Sequence, residues 1–309
     1  MDERGRREFV KALLMSALGV AASPLLPTIN AAANTVTITV LHTNDTHSQI
    51  DPFPAGTRNE GMGGVARRAT LVRRVRAENP YTLLLDAGDM FSGTPYFNFF
   101  HGEVEIKSMS AIGYDVVTLG NHDFDDGVES LVRALKHASF EVVSANYEVA
   151  PTSSLKPFVK PYVVRTLAGI RIGIFGMGID LSKLVLPKLH QGVVYREPLE
   201  SARNTVAKLR GEEKVDLVIC ISHLGHFYKS EPERICDVLL AKSIPEIDFI
   251  VGGHTHTFMK EPEIIKHANG RQTLIFQVGY GGINVGRVDF TFTANKLVGW
   301  HGSLLDKTV

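Results

Sequence analysis

The stretch GNHDFD, residues 120–125, follows the run VVTL at residues 116–119. A short apolar and β-branched run of this kind predicts a buried strand, so the polar stretch lies where that strand ends. A turn accounts for Asn121 and Asp123, because both residue types tolerate strained backbone and hydrogen-bond to it. A turn gives no reason for His122. We therefore interpret these six residues as one part of a larger site, whose other parts lie elsewhere in the chain.

Segments typical of strands and of helices alternate along most of the chain. The strand-like segments cover residues 36–41, 83–89, 115–123, 141–146, 171–177, 215–225 and 247–256. The helix-like segments cover residues 63–78, 127–137 and 199–211. This alternation predicts a largely parallel sheet with helices outside it. The last segments, 273–279, 284–293 and 296–306, read as consecutive antiparallel strands and predict a second sheet packed on the first.

Five polar clusters stand at the carboxyl ends of predicted strands. They are Asn44-Asp45-Thr46-His47, Asp86-Ala87-Gly88-Asp89, Gly120-Asn121-His122-Asp123, Ser222-His223-Leu224-Gly225 and Gly252-Gly253-His254-Thr255-His256. In open α/β sheets, this edge is where ligands bind. One histidine after a strand is ordinarily a structural residue. Five clusters that all supply His, Asp or Asn are best explained if they converge on one site.

The residue types in these clusters are those that bind divalent metals. Asp45 and His47 are two apart on a segment we expect to be extended, so both should point to one side, and His254 and His256 share that spacing. Asp89 follows a glycine, which frees its carboxylate to bridge two ions. Nitrogen and oxygen donors without thiolates suit Mn²⁺, Fe or Zn²⁺. Two such ions about 3.5–4 Å apart clamp a phosphoryl group and activate water.

The ordered set of motifs resembles a known family. D-x-H, G-D, G-N-H-D, H and G-H-x-H together resemble the calcineurin-like metallophosphoesterases. The fuller words LHTNDTH, DAGD, GNHDFD, SHLG and GGHTH resemble the 5′-nucleotidase branch, and the likeness covers about residues 36–292. The resemblance implies an α/β fold, a four-layer α/β/β/α sandwich of two mixed sheets.

The resemblance also implies roles for individual residues. It implies a first ion held by Asp45, His47, Asp89 and His256. It implies a second ion held by Asp89, Asn121, His223 and His254. His122 matches the family's catalytic histidine, and Asp125 matches the carboxylate that orients it. In the implied mechanism a metal-bridging hydroxide attacks the phosphate in line with the leaving oxygen, and cationic His122 stabilises the charge that develops.

The implied function is hydrolysis of nucleotides or related phosphomonoesters with two divalent ions as cofactors. Broad phosphodiesterase or UDP-sugar hydrolase activity and sulfur-ester hydrolysis, as in thiosulfohydrolases, are alternatives. A metal-binding partner subunit without activity is the non-enzymatic alternative. Full-length 5′-nucleotidases carry a C-terminal domain that holds the nucleoside. The resemblance of this sequence is to their metal-binding domain alone. It therefore leaves the preference for nucleotides open and suggests a separate chain with the C-terminal domain as a partner.

The first 33 residues predict an exported protein. A charged segment precedes an apolar one, Ala12 to Pro27, and small residues then lead to Ala33. We expect a signal peptide over residues 1–33, cleaved after Ala33, and a phosphoesterase domain over residues 34–309. The apolar segment is shorter than the about 20 residues that span a bilayer, so no stable membrane anchor is expected.

A twin-arginine motif favours one export route. Residues 6–11, RREFVK, resemble that motif and depart from it at Gly5. We therefore expect a periplasmic or otherwise exported location. The chain has 33 basic and 33 acidic residues, and this balance gives no sign of a nucleic-acid groove.

Several residues near the motifs have secondary interpretations. His42 is expected to support the first turn, Asp123 to cap its own turn, and His226 to line the pocket or lie on the surface. The GYGG stretch at 279–282 is expected to approach the site. The aromatic residues after Asp89 are expected in the core, with a pocket wall as the alternative: Phe91, Tyr96, Phe97, Phe99 and Phe100. The two cysteines, Cys220 and Cys236, are expected to be buried thiols.

Overall fold

The computed structural model describes residues 35–305 of the chain. The predicted signal peptide, its cleavage point after Ala33 and the last residues of the chain, from Asp306 on, lie outside these described residues. The strands are β1 (Thr35–Thr43), β2 (Thr82–Asp86), β3 (Val116–Val117), β4 (Glu141–Val143), β5 (Tyr147–Val149), β6 (Val159–Lys160), β7 (Tyr162–Leu167), β8 (Ile170–Met177), β9 (Val193–Tyr195), β10 (Leu217–Ser222), β11 (Phe249–Gly252), β12 (Glu263–Lys266), β13 (Gln272–Phe276), β14 (Gly286–Thr293) and β15 (Lys296–Leu304). The helices are α1 (Val65–Glu78), α2 (Pro95–Phe100), α3 (Glu103–Ile112), α4 (Gly127–Leu135), α5 (Pro198–Gly211) and α6 (Asp237–Ser243).

Two mixed sheets form the middle of the fold. The first has the order β15-β14-β1-β2-β3-β4-β6, in which β1, β2, β3, β4 and β6 run parallel and the β14–β15 hairpin pairs with β1 through an antiparallel β14. The second has the order β12-β13-β11-β10-β8-β7, with parallel strands in the centre and antiparallel strands at both edges. A two-stranded sheet of β5 and β9 is separate.

The buried side chains show how the layers are stacked. In β1, Ile38 and Val40 belong to the apolar cluster between the sheets, whereas Leu41 belongs to the cluster on the helix side. In β10, Ile219 faces the other sheet and Val218 faces the helices. This alternation follows from the period-two geometry of strands. Helices α1, α3 and α4 cover the first sheet and α5 and α6 cover the second, so the predicted four-layer sandwich is confirmed.

The late strands differ from the prediction in two ways. β13 pairs parallel with β11 rather than antiparallel with its neighbours in sequence, and only β12 pairs antiparallel with it. The β14–β15 hairpin joins the first sheet beside β1 and does not form a second sheet. The second sheet is built around β8, β10 and β11, which the sequence presented as further members of the parallel series. A buried run shows that a strand exists but not which neighbour it pairs with.

Three short helices, α2, α3 and α6, were not predicted. None of the helices in the part of the chain described here is long and apolar enough to cross a bilayer. Both cysteines are free and buried, as expected.

Candidate metal centre

The carboxyl ends of five strands meet in one place. β1, β2 and β3 are parallel neighbours in the first sheet, and β10 and β11 are parallel neighbours in the second. Each of these strands ends inside one of the polar clusters or at most three residues before it. Parallel neighbours end at the same edge, so the sheets bring the clusters together as predicted.

The turns that carry the candidate ligands have strained backbone. The φ angles of Asp45, His47, Asp89, His254 and His256 lie between 46° and 70°, a region that residues other than glycine rarely adopt. Asp45 and His47 are therefore not on an extended segment, and that part of the prediction is wrong. β1 ends at Thr43, and left-handed turns rather than strand alternation direct these side chains. Such strain is typical of functional sites.

Three of the candidate ligands form what we call the outer group: Asp45, His47 and His256. Nε2 of His47 lies 3.0 Å from Nε2 of His256, which lies 3.4 Å from Oδ1 of Asp45. One ligand atom from each residue lies within 4.8 Å of the others. Two imidazole nitrogens that face each other at this distance need a proton or a cation between them, because two lone pairs would repel.

Three others form the inner group: Asp89, His223 and His254. Their ligand atoms also lie within 4.8 Å of one another, and Nε2 of His223 is 3.1 Å from Oδ2 of Asp89. Oδ1 of Asn121 lies 3.0 Å from Nδ1 of His254, so Asn121 borders this group. The GHTH motif thus gives one histidine to each group.

Asp89 lies between the two groups. Its Oδ2 is 3.1 Å from Nε2 of His223 and 4.0 Å from Nε2 of His47. This is the position that a carboxylate shared by two ions requires. Gly120 approaches Asp89 so closely that only glycine fits there, since a Cβ on Gly120 would lie 2.2 Å from Oδ1 of Asp89.

Backbone carbonyls fix the tautomers of two histidines. Nδ1 of His47 donates to the carbonyl oxygen of Phe91 at 3.2 Å, and Nδ1 of His223 donates to that of Ala87 at 2.6 Å. A carbonyl only accepts, so in the neutral form of each ring the proton is on Nδ1 and the lone pair of Nε2 faces the centre. Metal-binding histidines are held in this way.

The donor set fits divalent ions. Nε2 of His223 is fully buried, lies 3.1 Å from Oδ2 of Asp89 and makes no hydrogen bond of good geometry within residues 35–305. A buried nitrogen left in this way is what an ion would satisfy. Imidazole, carboxylate and amide donors without thiolates suit Mn²⁺, Fe or Zn²⁺, as the sequence predicted.

Opposite charges shape the pKa values in the centre. Burial alone would raise the pKa of Asp89, but attraction to His223 and weaker attraction to His47 hold it below its usual range. Burial opposes the charged form of His223, yet Asp89 and Asp45 raise its pKa. Burial lowers the pKa of His254 to about 4, so this imidazole is neutral and available as a ligand at neutral pH.

His122 and Asp125 form a hydrogen-bonded pair beside the two groups. Nδ1 of His122 lies 2.8 Å from Oδ2 of Asp125, and the backbone N–H of His122 donates to Oδ1 of Asp89 at 2.8 Å. The bond to Asp125 raises the pKa of His122 to about 9, although burial opposes this. The hydroxyl of Ser92 also donates to Oδ2 of Asp125, at 2.6 Å. Ser92 was not predicted, because a serine in a loop carries no signal of its own.

Asp123 caps its turn, as predicted, and does more. It accepts the N–H of Gly120 at 2.8 Å and also those of Asp89 at 3.1 Å and Met90 at 2.9 Å. Its carboxylate therefore ties the turn after β3 to the turn after β2. Asn44 has a similar role, since its Oδ1 accepts the N–H of Val278 at 2.9 Å.

Other secondary predictions had mixed outcomes. His42 does not support the turn: it is fully buried between the sheets and packs edge-on against Phe249 and Phe276. Its place in β1 turns it into the core, next to Ile38 and Val40. His226, expected to line the pocket or lie on the surface, is 20% exposed and pairs with Glu263 at 2.7 Å.

The aromatic run after Asp89 divides between core and surface. Phe91 and Phe97 are buried, whereas Phe99 and Phe100 are 76% and 51% exposed and Tyr96 is half-buried. The core prediction is therefore wrong for Phe99 and Phe100, because the short helix α2 buries only one of its faces. The GYGG stretch does approach the centre: Gly281 N–H donates to the carbonyl of Asp45 at 2.7 Å.

Fold and site together define a two-sheet sandwich with a candidate dinuclear metal centre at its strand ends. Residues 38–258 match the calcineurin-like phosphoesterase family model. The chain belongs to the calcineurin-like phosphoesterase family.

Similar proteins share most of this chain. A 5′-nucleotidase of Vibrio cholerae is 34% identical over 93% of this chain and 54% of its own length. The trifunctional nucleotide phosphoesterase YfkN of Bacillus subtilis is 34% identical over 84% of this chain and 18% of its own length. The crystal structure of a 5′-nucleotidase precursor from Thermus thermophilus superposes with a TM-score of 0.78 at 35% identity, covering 87% of this chain and 54% of that one. The chain therefore spans about half the length of these 5′-nucleotidases.

Proposed function

We propose that the protein is a metal-dependent phosphoester hydrolase of the 5′-nucleotidase type. The observation that carries the proposal is the convergence of the outer and inner groups beside the His122–Asp125 pair. Membership of the phosphoesterase family supports it, as do relatives whose names describe hydrolysis of nucleotides.

Each side chain has a role in this proposal. The outer group with Asp89 holds one ion, and the inner group with Asn121 holds the second. Bound there, the ions would neutralise phosphoryl oxygens and lower the pKa of the attacking water. The hydrogen bond to Asp125 favours the cationic form of His122, which would donate a hydrogen bond to the phosphoryl group as its charge increases. Asp125 and Ser92 hold the imidazole ring in place.

The proposed substrate is a nucleotide or a related phosphomonoester, and a second polypeptide that carries a domain like the other half of the 5′-nucleotidase relatives is a proposed partner. Large apolar side chains are exposed in the segments that follow β1, β2, β8, β10 and β11, and we call them the apolar rim: Met62, Phe99, Phe100, Leu184, Leu186, Phe227 and Phe258. An exposed apolar rim of this kind is typical of a surface that another domain covers. Co-purification from the native host tests the partner, and recovery of the chain alone would count against it.

Residues 1–33 are proposed to be a twin-arginine signal peptide, and residues 34–309 the exported phosphoesterase domain. N-terminal sequencing of the protein from the cell envelope tests this. We expect the exported protein to begin at Asn34, and an exported protein that begins at Met1 would contradict it.

A substrate panel with Mn²⁺-loaded protein tests the activity. We would compare AMP, a cyclic nucleotide, UDP-glucose, p-nitrophenyl phosphate and bis-p-nitrophenyl phosphate, each also with His122→Ala. Turnover of monoesters that depends on His122 is the expected result. If none of these esters is hydrolysed, the proposal is overturned. The alternatives are then sulfur-ester hydrolysis and metal binding without activity.

A further inference from the structure

A cavity of about 330 Å³ opens beside the outer group. It lies between the loop after β1 and the segments after β11 and β13, and its walls include Asn59, Met62, Phe258, Tyr280, Ile283 and Asn284. Its volume is within the range of small-molecule sites, about 300–1,000 Å³. No role in the proposed chemistry uses any of these residues.

One aromatic ring connects this cavity to the metal centre. The ring of Tyr280 stacks on the imidazole of His256, with centroids 5.2 Å apart and planes at 23°. The hydroxyl of Tyr280 accepts a hydrogen bond from Asn59 at 2.8 Å, which fixes the ring from the other end. A ligand in the cavity is therefore one ring away from a candidate metal ligand.

Phe258 forms an exposed wall of the cavity. It is 53% exposed and stands edge-on to Tyr280, with centroids 5.8 Å apart and planes at 80°. Its ring lies directly on the backbone of Gly279, whose φ is +89° and where a Cβ would be 2.3 Å from the ring. The fold thus packs this ring against Gly279 and Tyr280 and leaves about half of the residue's surface in water. Exposed aromatic rings beside a polar site are typical surfaces for stacking a planar ligand.

The polar groups of the cavity lining are the amides of Asn59 and Asn284, the hydroxyl of Tyr280 and the guanidinium of Arg58. Asn284 is only 6% exposed; its Nδ2 donates to the carbonyl of Val278 at 3.1 Å and its Oδ1 is enclosed, so this residue supports the wall of the cavity. Arg58 is the charged residue of the lining, and no acidic side chain contributes to it. The cavity is therefore matched to a neutral or anionic ring and not to a cation.

We propose that this cavity binds the nucleobase of the substrate, with the ring stacked on Phe258. The proposal rests on the proposed phosphoesterase function, because the phosphate of the same molecule would lie at the metal centre. It gives this domain a base-binding site of its own.

Substitution of Phe258 tests the proposal. In Phe258→Ala we expect kcat/KM for AMP to fall at least about tenfold further than kcat/KM for ribose 5-phosphate, which lacks the base. Phe258→Trp keeps a stacking surface and should restore the AMP preference. Phe99→Ala, which removes an exposed ring elsewhere on the rim, is the matched control and should not change the ratio. An equal loss on both substrates in Phe258→Ala would overturn the proposal, because it would place Phe258 among the supports of the metal centre.

Binding without chemistry separates this proposal from the proposed function. We expect adenosine to bind metal-free wild-type protein in a calorimetric titration, and the affinity to fall about tenfold or more in Phe258→Ala but not in Phe258→Trp. If no phosphate ester is hydrolysed but this pattern of binding holds, the proposed function fails and the base site stands. If AMP is hydrolysed but adenosine binds wild type and Phe258→Ala equally, or neither of them, the base site fails and the function stands.

Discussion

The inner and outer groups use the same residue types, and each contains one buried aspartate, but one histidine of the inner group is fully buried and neither histidine of the outer group is. His223 and Asp89 of the inner group have side chains 0% and 2% exposed, whereas His47 and His256 of the outer group are 16% and 39% exposed. The inner pair lies deep between the turns of both sheets. The outer histidines are held mainly by a hydrogen bond to Phe91 and by stacking on Tyr280. Burial therefore predicts a firmly held inner ion and an exchangeable outer ion.

Asp89→Ala should have the largest effect, because it removes the carboxylate between the two groups. We expect the bound metal to fall from two ions to none, and turnover to fall about a thousandfold or more, since the ions supply several kcal/mol of transition-state stabilisation. Metal content by mass spectrometry and steady-state rates measure this. Asp126→Ala is the control, since Asp126 is an exposed acid that pairs with His101. Two retained ions in Asp89→Ala would show that Asp89 is not shared.

His122→Ala should separate chemistry from metal binding. The side chain contacts Asp125 and belongs to neither group, so both ions should remain. We expect turnover to fall about 10²–10³-fold, as for the loss of one donor to a transition state. Ser92→Ala should be milder, because it loosens only the support of Asp125. Activity of His122→Ala equal to that of the wild type would rule out the proposed role of the pair.

His256→Ala and His223→Ala compare the two groups directly. We expect each variant to bind one ion instead of two at low metal concentration. His256→Ala should regain its second ion when metal is raised, because water can enter the exposed position. His223→Ala should not regain its second ion when metal is raised. Its melting temperature should fall by about 5–10 °C, because Asp89 loses its buried partner.

The control for these two variants is His226→Ala. His226 pairs with Glu263 outside both groups, so metal content should not change. Equal metal recovery and equal melting temperatures in His223→Ala and His256→Ala would show that burial does not distinguish the groups.

Many of the candidate ligands could be predicted, because they lie in short motifs that follow predicted strands. Residue type and the position after a strand identified Asp45, Asp89 and His223, and the resemblance sorted them into two sets. The geometry was less accessible. The left-handed backbone of Asp45 and His47 could not be read from their spacing, because it depends on hydrogen bonds such as that from Asp45 N–H to the carbonyl of Gly88, at 2.9 Å.

Pairing of strands and long-range support were also beyond the sequence. β13 has the same apolar character whether it runs parallel or antiparallel, and the connection before it decides the direction. Gln277 supports the GHTH turn by accepting a hydrogen bond from Thr255 at 3.0 Å, yet nothing around it in the sequence marks it. Contacts between residues distant in sequence become visible only once the two sheets are placed.

A comparison of two buried histidines should give the smallest effect. His42 is as buried as His223 but has no carboxylate beside it. Burial lowers the pKa of His42 from 6.5 to about 3. The pKa of His223 is instead raised, because Asp89 and Asp45 lie beside it. Below pH 6.5 the unfolded chain binds a proton at His42 and the folded protein does not. This residue should therefore cost stability as pH falls, by about 1.4 kcal/mol per pH unit down to about pH 3.

His42→Leu removes this pH-dependent loss of stability. Between pH 7.5 and pH 5, the free energy of unfolding should therefore fall by about 2 kcal/mol less in the variant than in the wild type. Urea unfolding at both pH values and one metal concentration measures the difference, and turnover should change little. His301→Gln, an exposed histidine, is the control. The same pH dependence in His42→Leu and wild type would mean that the folded protein protonates His42 easily, and that burial without a charged partner does not distinguish it from His223.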